Sequence, residues 1–341
     1  MSSARSMTDR SIDPIGYFLE DMEQHGRSQR TIDAYGRVLK EFERYVDAAF
    51  DTTPAGASYR DCTAWINTIR QENAESTVAS YASYLNRFYV YMTQVGVLDE
   101  NPMALVIEEM DETIDANPTR RDVSVPAMRE FVGLIEHPLH KAVVVTLLKT
   151  GIRAGELANL DVRDLSIGVL DHDPRPQLEQ KGNSLFVSPD RSHGERSEGE
   201  RRNASNKRKR QTVIPIDGEL RNVLLRWLAV RPDTDSPAKP LFTHTSKKWG
   251  KRISPDAVHH IVETYARENG WYRTGGSAEE NVTPHYFRHF FTTHLRDRTG
   301  DRGIVKYLRG DVATDVIDTY THNWGDRVRT VYEANIYRVV D

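Results

Sequence analysis

The sequence lacks the cysteines on which disulfide-rich folds and structural zinc sites depend. Cys62 is the one cysteine among 341 residues, so no disulfide can form within the chain and no cysteine zinc cluster can be assembled. Also missing is any run of about 18 apolar residues, the length that a membrane span needs. The N-terminal stretch MSSARSMTDRSIDP contains no apolar segment of the kind found in signal peptides. We therefore expect a cytoplasmic protein that does not enter a membrane.

An excess of positive charge is missing too. The 50 acidic residues outnumber the 46 basic ones, which gives a formal net charge of −4. This argues against a protein that coats DNA by bulk charge, although local basic patches decide nucleic-acid binding more than the total does. The apolar fraction of 38% is ordinary for a globular chain, and 341 residues suffice for two packed domains.

Amphipathic helices are predicted through the first part of the chain, from Pro14 to about Gly96. Two of them carry apolar residues at three- and four-residue spacing. One also has basic residues at seven-residue spacing, and the face that these form is either a solvated surface or a DNA contact. The apolar residues are Ile32, Tyr35, Leu39, Phe42 and Val46 in one helix and Val78, Tyr81, Leu85, Phe88 and Met92 in the other; the basic residues are Arg30, Arg37 and Arg44, with Lys40 beside them.

A second domain is predicted after a linker. Residues 101–122 contain two Asn-Pro steps and no sustained periodicity, which favours a linker. Beyond it, the buried helix HKAVVVTLLKTG precedes two strand candidates, NSLFVSP and RQTVIPID. The polar stretch between the strands, DRSHGERSEGERRNASNKRK, predicts a mobile surface loop or hairpin extension. Further helices are predicted at residues 218–230, 255–268 and 284–296, and on either side of Tyr320.

Histidines are concentrated in one stretch, TPHYFRHFFTTHL. Thr283 can cap a helix there, which leaves His285 and Arg288 one turn apart on one face, opposite an aromatic stripe. His285 and His289 have the spacing of a zinc pair, but no third ligand accompanies them nearby and Arg288 would repel a cation. Arginine and histidine at a helix N-terminus suit a phosphate better. Taken alone, the stretch favours a structural helix with hydrogen-bonded histidines.

Three other segments carry side chains suited to phosphodiester chemistry. TGIRAGELANL contains Arg153 and Glu156, NKRKRQTVIPI contains Lys207, and LRGDVATDVIDTYTHNW contains Tyr320. Each has an ordinary interpretation when taken singly, as a helix-capping cation, a surface ion-pair partner, a solvated basic run or a core aromatic residue. The four motifs together, in this order and spacing, resemble the tyrosine recombinases, or phage integrase family, which includes the Xer-type recombinases.

The resemblance covers essentially the whole chain. The helices SQRTIDAYGRVLKEFERY and STVASYASYLNRFYVYM are similar to that family's core-binding domain. The resemblance implies a mainly α protein of two domains, with a small antiparallel β-sheet in the catalytic domain. These are a helical DNA-binding domain over residues 11–100, a linker over 101–122, and an α+β catalytic domain over 123–341 with the nucleophile near the C-terminus.

Carried over by position, the resemblance assigns roles to individual residues. Arg153 and Arg288 resemble the arginines that hold the scissile phosphate, and Tyr320 resembles the nucleophile. Lys207 lies eight residues before Pro215, as the family's hairpin lysine lies before its own proline. His285 matches the histidine of the His-x-x-Arg box. Supporting roles are implied for Glu156 and His322, and we add His289; the basic run Arg201 to Arg210 predicts DNA-backbone contacts by Arg208, Lys209 and Arg210.

One position departs from the family pattern. Nine residues before Tyr320, where the family usually has His or Trp after a glycine, Gly310 is followed by Asp311. A carboxylate cannot donate a hydrogen bond to phosphate and repels it. Either Asp311 supports a neighbouring residue, or activity is weakened, or Arg309 takes over the missing role.

The chemistry explains why these residue types are needed. Two permanently charged guanidinium groups can stabilise the negative charge that develops on phosphorus, so neither a metal nor ATP is required and no cofactor is expected. Tyr320 needs a nearby acceptor such as His285, and Lys207 can protonate the leaving 5′ hydroxyl. We therefore expect a site-specific DNA recombinase or integrase that acts on double-stranded DNA through a 3′-phosphotyrosyl intermediate.

The resemblance further implies a homo-oligomer, a tetramer in the synaptic complex, with residues 325–341 docked on a neighbour. The main alternative is a recombinase-derived DNA-binding protein with weak or no cleavage activity, which Asp311 favours. A type IB topoisomerase shares the chemistry but fits the helical N-terminal region less well, and a metal-dependent nuclease is a more distant possibility.

Overall fold

The chain divides into two compact units, residues 1–117 and 118–341, each with its own hydrophobic core. The structure, a computed structural model, describes residues 13–113, 118–168, 173–311 and 326–340. Within those ranges, no helix is both long and apolar enough to cross a bilayer. The fold is mostly helical with a small antiparallel sheet, as the sequence predicts.

The first unit is helical, and the predicted apolar faces form its core. Of the ten apolar residues that the periodicity selects on its two clear helices, all but Tyr35 are buried. A short helix occupies part of the segment for which the sequence predicts a linker, and Met103 and Val106 anchor it in this core. The helices are α1 (Pro14–Gln24), α2 (Gln29–Phe50), α3 (Tyr59–Glu72), α4 (Glu75–Gln94) and α5 (Ala104–Glu109).

The second unit surrounds a three-stranded antiparallel sheet with helices. The strand order is β1 (Leu165–Ser166), β2 (Ser184–Val187) and β5 (Thr212–Pro215). Leu185 of β2 pairs with Ile214 of β5. Both strands that the sequence predicts are therefore present and adjacent. The elements are α6 (Val125–Gly133), α7 (Pro138–Thr150), α8 (Ala154–Ala158), β1 (Leu165–Ser166), β2 (Ser184–Val187), β3 (Arg196–Ser197), β4 (Glu200–Arg201), β5 (Thr212–Pro215), α9 (Gly218–Val230), α10 (Pro255–Glu268), α11 (Pro284–Thr299), α12 (Arg302–Arg309) and α13 (Arg327–Asn335), with short 3-10 turns at Val162–Asp164 and Pro176–Leu178.

Helix α7 is buried along most of its length and ends at Gly151, where the fold needs a glycine for two reasons. The residue has a φ of 62°, a conformation that costs other residues energy. A Cβ atom there would also lie 2.3 Å from the ring of Phe291. Phe291 belongs to the stripe predicted on α11, whose members Phe287, Phe291 and Leu295 are all buried. The close contact holds the end of α7 against α11.

The polar stretch between β2 and β5 contains the β3–β4 hairpin, and two of its arginines are anchored in the domain. Arg202 and Arg191, which the composition places in solvent, are buried. Arg202 binds Asp161 at 2.8 Å and Arg191 binds Asp164 at 2.7 Å. Arg252 binds the other oxygen of Asp161 at 2.6 Å. We call these five residues the buried ion network; it holds the hairpin against the domain.

Replacing Asp161 by asparagine should destabilise the second unit by about 3–5 kcal/mol, because it leaves buried arginines without their partner. Burial disfavours the charged form of Asp161, but the hydrogen bond from Arg202 and the charges of Arg191 and Arg252 outweigh it and hold the pKa below its ordinary value of 3.8. Since the folded-state pKa is the lower one, this stabilisation is present above about pH 4 and is lost as the pH falls further.

Denaturant unfolding at neutral pH and at about pH 3 measures both effects. The matched control is Asp235→Asn at an exposed aspartate, and this variant should unfold at the same denaturant concentration as the wild type. Equal stability of Asp161→Asn and wild type at neutral pH would show that the buried ion network does not stabilise the fold.

The C-terminal residues 336–340 pack on their own chain. Tyr337 is buried, and its hydroxyl donates to the carbonyl oxygen of Leu148. The backbone N–H of Val339 donates to Glu219 at 3.0 Å. The buried ammonium of Lys149 lies 2.6 Å from Glu219 and also donates to the carbonyl oxygen of Tyr337. Tyr337 and Val339 therefore contribute to the core of their own unit, and the docking of residues 325–341 on a neighbour stays a prediction.

Candidate active site

Arg288 is positioned by α11, whose start follows the predicted capping. Thr283 accepts a hydrogen bond from the backbone N–H of Tyr286, and Pro284 occupies the first helical position. The Arg288 side chain is 2% exposed. One terminal nitrogen donates to the carbonyl oxygen of Gly151 at 2.6 Å, and the other donates to the carbonyl oxygen of Arg309 at 3.1 Å and to Asp311 at 2.7 Å. Arg288 therefore connects the ends of α7 and α12.

Arg153 lies at the start of α8, and Glu156 orients it. The backbone N–H of Arg153 donates to Glu156 Oε2 at 3.0 Å, and its guanidinium donates to Oε1 at 3.1 Å. Glu156 is fully buried, whereas the Arg153 side chain is 31% exposed. The other terminal nitrogen of Arg153 donates to Asp311 Oδ1 at 3.3 Å. Arg153 and Arg288 therefore meet at one oxygen atom.

Asp311 is the point at which three guanidinium groups converge. Its Oδ1 accepts from Arg288 and Arg153, and its Oδ2 lies 2.9 Å from Nε of Arg309. Burial, followed by the charges of Arg153 and Arg309, lowers the pKa of Arg288 to about 9. Gly310, just before Asp311, has a φ of 69°, and a Cβ atom there would lie 2.5 Å from Arg208. The turn that presents Asp311 thus requires glycine.

Lys207 is exposed, and its neighbours on both sides are held to the domain. The Asn206 side chain accepts from Asn159 at 2.9 Å and donates to the carbonyl oxygen of Ser188 at 2.7 Å. On the other side, Arg208 donates to Glu156 at 3.2 Å and to the carbonyl oxygen of Leu308 at 3.1 Å. Glu156 therefore joins the residue beside Lys207 to Arg153.

The prediction that Arg208 contacts the DNA backbone does not agree with the structure. The Arg208 side chain is fully buried and pairs with Glu156, so in this structure it has no surface to offer DNA. Lys209 is exposed, and Arg210 is half-buried with its guanidinium 5.3 Å from the ring centre of Tyr307.

Among the histidines in α11, His285 lies one helical turn before Arg288. It keeps solvent access, but partial burial, followed by the charges of Arg120 and Arg288, lowers its pKa below the ordinary 6.5. Partial burial also lowers the pKa of His289, which is exposed. A neutral imidazole can accept a proton, so His285 is suited to the acceptor role that the sequence suggests.

The remaining predicted residues lie apart from this cluster or outside the described ranges. Arg30, Arg37, Lys40 and Arg44 are all exposed on α2 of the first unit, where Arg37 donates to the hydroxyl of Tyr81 at 3.1 Å. Tyr320 and His322 are outside the described residues. Within the described part of the chain, no three His, Cys, Asp or Glu side chains are grouped so that they could hold a metal ion.

Two family models match the sequence. The model described as Phage integrase family matches residues 177–325, and the model described as Phage integrase, N-terminal SAM-like domain, matches residues 15–96.

Similar proteins and structures cover nearly the whole chain. A protein of Pelobacter propionicus named tyrosine recombinase XerC is 22% identical over 90% of this chain and 89% of its own. A protein of Listeria monocytogenes named tyrosine recombinase XerD is 24% identical over 91% and 93%. The Tn1549 transposon integrase in complex with circular intermediate DNA has a TM-score of 0.61 at 17% identity over 91% and 94%. A lambda integrase dimer bound to a COC' core site has a TM-score of 0.62 at 14% identity over 92% and 77%.

Proposed function

Since the chain belongs to the phage integrase family, the family of the tyrosine recombinases, we propose that it is a site-specific DNA recombinase or integrase that cleaves and rejoins strands through a covalent 3′-phosphotyrosyl intermediate. The observation that carries this proposal is the convergence of Arg153 and Arg288 on a single oxygen position beside a partly exposed surface. Two guanidinium groups directed at one anionic oxygen are suited to the charge that develops on a phosphodiester during cleavage.

In the proposed reaction, Tyr320 attacks the phosphorus atom and displaces the 5′ oxygen of the next nucleotide. Arg153 and Arg288 hold the non-bridging oxygens, and a neutral His285 accepts the tyrosine proton. Lys207 gives its proton to the departing 5′ oxygen. One phosphodiester bond is exchanged for another and no water is consumed, so a 5′ hydroxyl from a second strand can reverse the step and rejoin the DNA.

Double-stranded DNA is the proposed substrate. The exposed basic face of α2 and the exposed Lys209 support DNA-backbone contacts from both units. The Tn1549 and lambda integrases with similar folds are both described in complex with DNA. We extend the proposal to a homo-oligomer on DNA, a tetramer in the synaptic complex, which sizing of the protein–DNA complex would test.

The test of the proposed function is covalent capture. Nicked duplex DNA bearing the candidate site, taken from sequence flanking the gene, loses a short strand once it is cleaved and so cannot be rejoined. We expect the protein to form a complex with this DNA that survives denaturation, in the presence of excess EDTA. A gel shift without any covalent band on this DNA would reject cleavage at that site.

One observation favours a second candidate, a recombinase-derived protein that binds specific DNA without cutting it. Asp311 occupies the oxygen position at which the two arginines meet, and a carboxylate there opposes a phosphate. Sequence-specific binding by a protein that forms no covalent complex with DNA at its bound site would select this candidate.

A further inference from the structure

The carboxylate of Asp311 has the contacts expected of a bound phosphate. Its Oδ1 receives hydrogen bonds from Arg288 at 2.7 Å and from Arg153 at 3.3 Å. The side chain is 27% exposed and that of Arg153 is 31% exposed. The contact is therefore not sealed in the core, and an anion from solvent can reach it.

Carboxylates and phosphodiesters present similar oxygens to guanidinium groups. A phosphate oxygen bound by both Arg153 and Arg288 requires the position that Asp311 Oδ1 occupies. Two oxygens cannot share that position, and two anions at contact distance repel each other. Binding of the phosphate to both arginines therefore requires Asp311 Oδ1 to leave.

The charges around the contact explain why an anion is present without DNA. Arg153, Arg288 and Arg309 lie within reach of one carboxylate, and the burial of Arg288 makes its charge costly to leave unpaired. Glu156 is engaged on the other side by Arg153 and Arg208. In the part of the chain that the structure describes, Asp311 is thus the acidic group that faces all three cations. Arg309, which contacts Oδ2, is placed to retain the carboxylate after Oδ1 is released.

We infer that Asp311 is an internal competitor of the scissile phosphate, which neutralises Arg153 and Arg288 in the DNA-free protein and is displaced when a phosphodiester enters. The inference rests on the proposed function for the identity of that phosphodiester. Competition of this kind makes the apparent affinity for phosphate equal to the intrinsic affinity multiplied by the fraction of molecules in which the position is open. If the position is open in one molecule in ten, the apparent affinity falls about tenfold.

Inorganic phosphate provides a probe that does not depend on DNA cleavage or on a known target site. Calorimetric titration of the full chain would compare wild type, Asp311→Asn and Asp311→Ala. Both substitutions remove the competing charge, so both should bind phosphate about tenfold more tightly than wild type, or better. Asparagine can donate a hydrogen bond to phosphate and alanine cannot, so a gain seen with asparagine alone would come from a new donor and would overturn the inference.

The matched control is Asp297→Asn on α11, an exposed aspartate paired with Arg296, which should leave the phosphate affinity unchanged. Loss of Asp311 also removes a partner of three cations and can lower the melting temperature. In that case the change in melting temperature on adding phosphate is compared. Phosphate should stabilise both Asp311 variants more than the same concentration of sodium chloride does, and it should stabilise them more than it stabilises the wild type. An equal response in wild type and variants would overturn the inference.

The outcomes for Asp311 and for the proposed function are separable. If wild type forms the covalent DNA complex but the Asp311 variants gain no phosphate affinity, the competitor is rejected and the recombinase remains. If the variants gain affinity while neither they nor wild type form a covalent complex on DNA that they bind, cleavage is rejected and the competitor remains.

Discussion

Tyr320→Phe is expected to abolish the covalent protein–DNA complex, below the detection limit, while DNA binding stays near the wild-type level. The substitution removes only the hydroxyl oxygen that is proposed to attack phosphorus, and phenylalanine keeps the aromatic ring. The measurement is a denaturing gel of the nicked-DNA reaction, with a native gel shift on the same samples to report binding.

Tyr272→Phe is the matched control for this experiment. It makes the same change of one hydroxyl in the second unit, on a ring that packs against Arg267, and should form the covalent complex at the wild-type rate. A covalent band from Tyr320→Phe would mean that another side chain attacks the DNA. Peptide mapping of the trapped DNA adduct would then identify that residue.

Arg288→Ala should slow formation of the covalent complex by about 10²–10³-fold or more, the scale of losing a transition-state donor. The guanidinium is proposed to hold a non-bridging oxygen, and in the structure it also bonds the carbonyl oxygens of Gly151 and Arg309. Single-turnover kinetics with saturating protein would measure the rate without a contribution from DNA affinity.

Because Arg288 is buried, its removal can also weaken the fold, and two further variants separate the effects. Arg153→Ala removes the partly exposed partner and should show a loss of similar size with less effect on unfolding. Arg296 lies on the same helix and pairs with Asp297 at the surface, so Arg296→Ala should keep the wild-type rate. Loss of less than about tenfold in both Arg288→Ala and Arg153→Ala, with both folded, would contradict the phosphate-binding role.

Elements defined by local patterns were predictable from the sequence. The apolar spacing of α2 and α4 and the capping of α11 by Thr283 depend on residues within a few positions of one another, and each is present as predicted. The limits of α9 and α10 were also correct, because Asp217 and Ser254 cap their first turns. The clustering of Arg153 with Arg288 was predictable only through the family resemblance.

What could not be predicted depends on partners far apart in the chain. The hairpin looked solvated because its arginines have no acidic partners in a local periodic pattern, whereas Arg202 binds Asp161, 41 positions away, and Arg191 binds Asp164, 27 positions away. The burial of Arg208 could not be predicted for the same reason, because its partner Glu156 is 52 positions away. Asp311 was identified as unusual, but its contact with both arginines is a property of the fold.

The buried ion network gives the proposed active site and the proposed DNA contacts different responses to salt. Exposed charges such as the basic face of α2 act through water, so added salt should screen them and weaken DNA binding steeply. Asp161 and Arg202 are buried and are screened much less. As the salt concentration rises, the protein should therefore dissociate from DNA well before the hairpin beside Lys207 loses its structure. Activity lost in this way should return when the salt is diluted.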